Sequence, residues 1–153
     1  MRESDIAVMR RALALAAEAS DGGDVPVGAV VTDLSGEIVG EGQNVRERRH
    51  DPLAHAELLA LRAAAERAGS WNLDRFTLVV TLEPCLMCAG AIVQARVGRV
   101  VFGAWDDKAG AAGSQYDVLR DRRLPHRAEV VGGVCRDEAA ALLRGFFEQR
   151  RDP

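Results

Sequence analysis

Lysine is almost missing from this chain: of 20 basic residues only Lys108 is not an arginine. Basic and acidic totals of 20 and 23 leave a formal net charge of -3. That balance excludes a uniformly basic nucleic-acid coat and leaves room only for local patches. Arginine suits bidentate phosphate contacts, although genome composition produces the same bias. Long apolar runs are also absent. None approaches the roughly 20 residues that span a bilayer, so no membrane association is expected. The first residues include Glu3 and Asp5 and no continuous apolar segment, so a secretory signal is not expected either. Cysteine is scarce, with Cys85, Cys88 and Cys135. Three is a poor number for a disulfide framework. Without an export signal a reducing, cytoplasmic location is expected, where a Cys-x-x-Cys pair is more often a metal or redox site. Internal repeats, low-complexity linkers and composition breaks are missing too. What remains is 153 residues with 48% hydrophobic and 28% charged side chains, the composition of one globular domain over 1–153.

Helix and strand signals alternate along the chain. Ile6, Met9, Leu13 and Ala16 form a helical stripe over about 4–20, with Ser4 as its cap and Gly22-Gly23 as its stop. Val25–Thr32 and Glu37–Gly42 read as strands joined by the turn Asp33-Leu34-Ser35-Gly36, an antiparallel hairpin. Residues 54–68 form a strong helix that Gly69 ends. Phe76–Leu82 reads as a buried strand, Pro84 as the first turn of a helix reaching Arg96, and Arg99–Gly103 as a further strand. The glycine- and alanine-rich stretch 108–114 reads as a loop, with a short helix near Tyr116–Leu119, a last strand over Val130–Val134 and a last helix over 137–149. Helices between apolar strands predict a three-layer α/β/α sandwich on a mixed five-stranded sheet.

The chemistry concentrates in His55-Ala56-Glu57 and Pro84-Cys85-Leu86-Met87-Cys88. One imidazole and two thiolates are three zinc ligands. Structural zinc closes its tetrahedron with a fourth protein ligand, whereas catalytic zinc leaves that place to water. Cys135 is either that fourth ligand or a buried free thiol at a strand end. Cys85 and Cys88, three apart at a helix start, face the same side, and the helix N-terminus favours thiolate. On a helix Glu57 points about 200° from His55, so it need not share the metal. It is placed instead to shuttle the protons of a metal-activated water. A Cys-x-x-Cys alone also reads as a redox pair, but that leaves His55 and Glu57 without a role.

His-x-Glu followed by Pro-Cys-x-x-Cys is the signature of the zinc nucleobase deaminases, and the chain resembles them nearly throughout. The stretches VPVGAVV (25–31), GEGQN (40–44), HDPLAHAE (50–57), TLEPCLMCAGA (81–91), GRVVFGA (98–104), GAAGS (110–114) and FFEQRR (146–151) carry the resemblance. The GAAGS loop and the aromatic–arginine tail point to the members of bacteria that act on tRNA adenosine. The resemblance implies a cytidine-deaminase-like fold and one Zn²⁺ per chain on His55, Cys85 and Cys88. It implies adenosine-to-inosine conversion at the wobble position of an anticodon stem-loop. Activated water attacks C6, and Glu57 carries protons to N1 and to the departing amino group. It also implies a homodimer, with which the apolar helix after Cys85 agrees. The alternative is a zinc deaminase of a free base or nucleoside of guanine or cytosine type.

The resemblance further implies substrate contacts by Asn44, Ala56, His50, Asp106, Phe147 and Arg150. Each has a plainer reading beside it. Asn44 either binds the purine edge or serves as a turn residue. His50 contacts RNA or orients its loop. Asp106 touches the neighbouring sugar or is a solvated carboxylate. Trp105 stacks on a base or packs on a partner subunit. Adjacent Phe146 and Phe147 cannot both face inward. Arg46, Arg48, Arg49, Arg120, Arg122, Arg123 and Arg151 are phosphate contacts or a solvated face.

Overall fold

Alternating strand residues bury on opposite faces of one sheet, and that alternation sorts the helices into two layers. A computed structural model describes residues 2–151, the side chain of Arg151 excepted. The elements are α1 (Glu3–Asp21), β1 (Gly28–Thr32), β2 (Ile38–Gln43), α2 (Arg46–Arg49), α3 (Ala56–Ala68), β3 (Thr77–Leu82), α4 (Leu86–Gln94), β4 (Arg99–Ala104), a 3₁₀ turn (Val118–Arg120), β5 (Glu129–Val131) and α5 (Arg136–Arg151). Ala29, Val31, Leu78, Val80, Val100 and Phe102 pack with α3 and α4. Val30, Val79 and Val101 pack with α1 and α5 on the other face. The expected three-layer α/β/α sandwich is thus formed by simple side-chain alternation. No helix among the described residues is long and apolar enough to cross a membrane.

Sheet order is β2-β1-β3-β4-β5. β1 pairs antiparallel with both β2 and β3, while β3–β4 and β4–β5 are parallel. The hairpin and the mixed five-stranded sheet agree with the sequence reading. Local boundaries shift. Val25–Val27 precede β1 as loop, and β5 ends at Val131 rather than Val134. Cys135 therefore lies beyond the strand, in a left-handed conformation (φ 55°) and only partly buried. It is not the buried strand-end thiol of the sequence reading. Ser4 does not cap α1. The helix starts a residue earlier, and the Asp5 carboxylate accepts the Arg2 N–H at 2.9 Å.

Asp5 also anchors α1 to the sheet. Its carboxylate accepts Arg99 Nη1 and Nη2 at 2.7 and 2.8 Å, and both residues are buried. The Arg99 hydrogen bonds hold the Asp5 carboxyl below its usual range, against the opposing effect of burial. A carboxyl lowered in the folded state contributes stability above its unfolded pKa, about 3.9, and loses it as pH falls through the folded value. Asp5→Asn removes the carboxylate that accepts both Nη donors and leaves Glu129, 3.6 Å from Nε, as the remaining counter-charge, so stability should fall by about 1–3 kcal/mol. Thermal melts of parent and variant at pH 7 should show this gap, and the gap should narrow below about pH 4 as the parent's Asp5 protonates. Equal melting temperatures at pH 7 would refute the anchor.

Two glycines bring the site-bearing helix close to its strand. A Cβ on Gly40 or Gly42 would overlap the carbonyl oxygens of Ala60 and Ala56 in α3. With glycine there, α3 lies directly on β2 and starts at the strand's C-terminal end.

Candidate active site

The backbone places the donor atoms before their side chains are considered. β2 and β3 run in the same direction and finish at the same end of the sheet, with β1 antiparallel between them. The chain leaving β2 returns through α2 to His55, and the chain leaving β3 turns at Glu83-Pro84 into Cys85. His55 and Cys85 are both N-cap residues with extended backbone, at φ -78° and -73°. Neither lies in a helical first turn as the spacing suggested, and Pro84 stands before the cap. The strands that carry the two helix starts are not adjacent, since β1 separates them. Because His55 is not helical, the 200° separation from Glu57 does not apply. Both side chains line one cleft.

His55 Nδ1 lies 3.6 Å from Cys85 Sγ and 3.3 Å from Cys88 Sγ. All three donor atoms fall within 4.8 Å of one another. A tetrahedral zinc with Zn–N near 2.05 Å and Zn–S near 2.3 Å has an N–S edge of about 3.6 Å, so the three side chains fit zinc as they stand. Their protonation agrees. The Cys88 thiol hydrogen-bonds Cys85 and, with His55, lowers the Cys85 thiol to about 4 against burial. The same contact and burial push Cys88 up. The Cys85 hydrogen bond also raises His55. Three donors sharing protons at this spacing are a ligand set that one divalent cation satisfies. Cys135 belongs to the opposite side of the sheet, with the α1–α5 cluster, and is not the fourth ligand.

Glu57 is the second residue of α3 and 4% exposed. Burial pushes its carboxyl up to about 7, and the Cys85 charge adds to this. The cleft has a volume of about 210 Å³, below the roughly 300 Å³ at which sites for drug-sized ligands begin. Asn44, His55, Ala56, Glu57, Cys85 and Asp106 line it, as the sequence suggested. Val25, Val27, Arg46, Leu82, Glu83 and Ala109 complete the lining. Of these only Arg46 was singled out in the sequence.

Most of the remaining candidates lie at or near the cleft or pair within the chain. Asn44 is buried, its Nδ2 donating to Val25 O at 3.1 Å and its Oδ1 accepting the Arg46 N–H at 3.1 Å. It is a turn residue and a cleft residue at once. Asp106 is half-buried and its Oδ1 accepts the N–H groups of Lys108 and Ala109, so it is not a freely solvated carboxylate. His50 is exposed at the left-handed end of α2 (φ 50°), outside the cleft. Phe146 is buried and Phe147 is 47% exposed. Arg150 lies 4.2 Å over the Phe146 ring and donates to Gly23 O at 2.8 Å. With Gly23, Val25 and Glu47 these two residues line a second groove that shares Val25 with the cleft. Trp105 packs edge-on to Phe102 at 4.7 Å and lines a cavity with Gly132 and Cys135, away from the cleft. Arg48 binds the buried Asp24, Arg120 pairs with Asp117 and Arg123 with Asp121, so these are intramolecular partners. The Arg151 side chain lies outside the described residues.

A His/Cys/Cys donor set at two helix starts, with a buried carboxylate beside it, defines a zinc deaminase of nucleobases. Residues 2–104 match the cytidine and deoxycytidylate deaminase zinc-binding region, and the chain belongs to that family. Within it, the chain is 45% identical to the tRNA-specific adenosine deaminase of Bacillus subtilis over 143 residues, 94% of this chain and 88% of the relative. Among solved structures it superposes with TM-score 0.84 on a tRNA:A34 deaminase studied for A-to-I editing at the wobble position. That pair is 37% identical and covers 88% of this chain and 97% of the other. It also superposes with TM-score 0.79 on the guanine deaminase of Nitrosomonas europaea, at 27% identity over 90% and 81% of the two chains.

Proposed function

We propose that this chain, read as one deaminase domain, hydrolyses adenosine to inosine at the wobble position of a tRNA anticodon and releases ammonia. One observation carries the reading. A set of three protein donors and a buried carboxylate outside that set meet in one cleft, lined also by Asn44 and Asp106. A relative 45% identical over 94% of this chain bears the matching name.

His55, Cys85 and Cys88 would hold the zinc, which when bound supplies hydroxide at neutral pH by lowering the pKa of water. The remaining chemistry belongs to side chains of this chain. Glu57 takes a proton from the attacking water and delivers it to N1 of adenine as C6 is attacked, then takes the proton of the new C6 hydroxyl and passes it to the amino group, which leaves as ammonia while the C6 carbonyl forms. Burial at the start of α3 keeps its carboxyl near neutrality, where one group both accepts and donates. Asn44 keeps one N–H and one oxygen lone pair beyond its two backbone bonds. The free N–H reaches the acceptor edge of the purine. Val25, Val27, Leu82 and the Ala56 methyl form apolar walls that exclude bulk water. Asp106 and Arg46, at the same cleft, are suited to the sugar and phosphate of the flipped nucleotide. Phe147, Arg150 and His50 lie beyond it, where the rest of the stem-loop would run.

A homodimer is part of this reading. Leu86 on α4 is 54% exposed, with Met87 and Ala91 partly so. Gly90 on the same helix would carry a Cβ into open space. A mid-helix glycine costs about 1 kcal/mol relative to alanine, a cost that close approach of a second copy explains. The cytoplasm, where tRNA is found, is the compartment this reading requires.

The test compares inosine formation on an adenosine-bearing anticodon stem-loop with deamination of free adenosine, cytidine and guanine. Contacts remote from the reacting atoms position the base, so kcat/KM on the stem-loop should exceed that on every free substrate by on the order of 10²-fold or more. A free base or nucleoside that reacts as well as the stem-loop would replace this reading by the small-molecule one.

A further inference from the structure

Glu83 has no part in the reaction as derived, yet it is 1% exposed and carries four hydrogen bonds. It stands between the end of β3 and Pro84-Cys85. Oε1 accepts the Asp106 N–H at 3.0 Å and the Ser114 hydroxyl. Oε2 accepts the N–H groups of Ala112 and Ser114, both at 3.0 Å. All four donors come from the loop 106–114. The loop is further seamed to the same segment by Ala111 N–H donating to Pro84 O at 2.8 Å. Gly110 lies directly over the carboxylate, and a Cβ there would overlap the carboxyl carbon and both oxygens.

We propose that Glu83 is a positioning residue. Its carboxylate holds loop 106–114 so that Asp106 and Ala109 form their part of the cleft wall in register with the metal donor Cys85, two residues along the chain. The inference rests on the deamination reading of the cleft. The chemistry selects a carboxylate. An ionised carboxyl is acceptor-only, with about four lone-pair sites, and matches four donors. Hydrogen bonds to an ionised acceptor are also roughly twice as strong as neutral ones. An amide cannot make the same set. If its NH₂ takes the Oε2 place it opposes two N–H groups. If it takes the Oε1 place, Ser114 can rotate its hydroxyl to accept, and only the Asp106 N–H is left without a partner. Glu83→Gln therefore selects the second arrangement and releases Asp106 while Ala112 and Ser114 stay held.

The experiment uses the zinc-loaded chain and the variants Glu83→Gln, Asp106→Ala and their combination, with Gly110→Ala as an independent way to displace the carboxylate. Amide exchange should accelerate at least tenfold at Asp106 and less than twofold at Ala112 in Glu83→Gln. Zinc should stay at one per chain. On the stem-loop, kcat/KM should fall at least tenfold in Glu83→Gln and in Gly110→Ala. In the Asp106→Ala background the further loss from Glu83→Gln should be under twofold, because residues acting as a unit are not additive. Parental kcat/KM in Glu83→Gln, additive losses in the double variant, or a Glu83→Gln chain that loses zinc or fails to fold would each overturn the proposal and reduce Glu83 to scaffold. A parent chain inactive on the stem-loop would instead overturn the function reading, and the exchange data would still decide what Glu83 holds.

Discussion

Glu57→Gln is expected to remove turnover while zinc and fold remain. Glutamine keeps the size and a hydrogen-bonding oxygen of the buried carboxyl, so the start of α3, whose side chains Ala56, Ala60, Leu61 and Ala64 are buried, has no reason to move. It cannot accept a proton at one atom and return it at another. General acid–base catalysis is worth about 10²–10⁴-fold, and here one side chain serves the attacking water, N1 and the leaving amino group in turn. The loss should therefore reach or exceed the upper end of that range. Inosine formation at saturating stem-loop, with zinc measured on the same sample, tests this. Turnover within threefold of the parent would place the proton shuttle on another residue.

Cys85→Ala is expected to reduce both zinc content and activity to background. Cys85 is the N-cap of α4, but its side chain makes no capping hydrogen bond. The alanine therefore removes no helix cap, and the side chain is only partly buried. Two ligands remain, His55 and Cys88, too few for a site that holds zinc by three protein donors. Cys135→Ala serves as the control, since that thiol sits on the other side of the sheet. It should retain one zinc per chain and parental activity. A loss of zinc in Cys135→Ala comparable to that in Cys85→Ala would make the site four-coordinate and structural, and would end the reading of an open ligand position.

Several features of the site were legible because they are local. The Cys-x-x-Cys spacing brings two sulfurs to one side of a helix start whatever surrounds it, and Glu57 two residues after His55 is offered to the same region. The helices α1, α3 and α5 declare themselves by periodicity. Other features were not legible. The tetrapeptide helix α2 is too short for a period. Val25–Val27 are apolar like the strand they precede and read as part of it, yet they line the cleft. Pro84 suits a first turn, but here it stands outside the helix because Cys85 takes the cap. Arginines 48, 120 and 123 looked like candidate phosphate ligands until their carboxylate partners were placed, one of them Asp24, 24 residues earlier in the chain.

By itself, then, the sequence determined the ligand types, the carboxylate beside them and the number of strands and layers, because each depends on residues close together in the chain or on a repeat of two or 3.6 positions. Only the tertiary structure decided that β1 runs between β2 and β3, so that His55 meets Cys85 and Cys88 across an intervening strand. It also decided that His55 and Cys85 are caps rather than helical residues, and that Glu83 closes around a loop 23 to 31 residues away. These are pairings over long separations, selected by burial of both sheet faces and by the need of every buried donor and acceptor for a partner. No local pattern of residues encodes such a pairing.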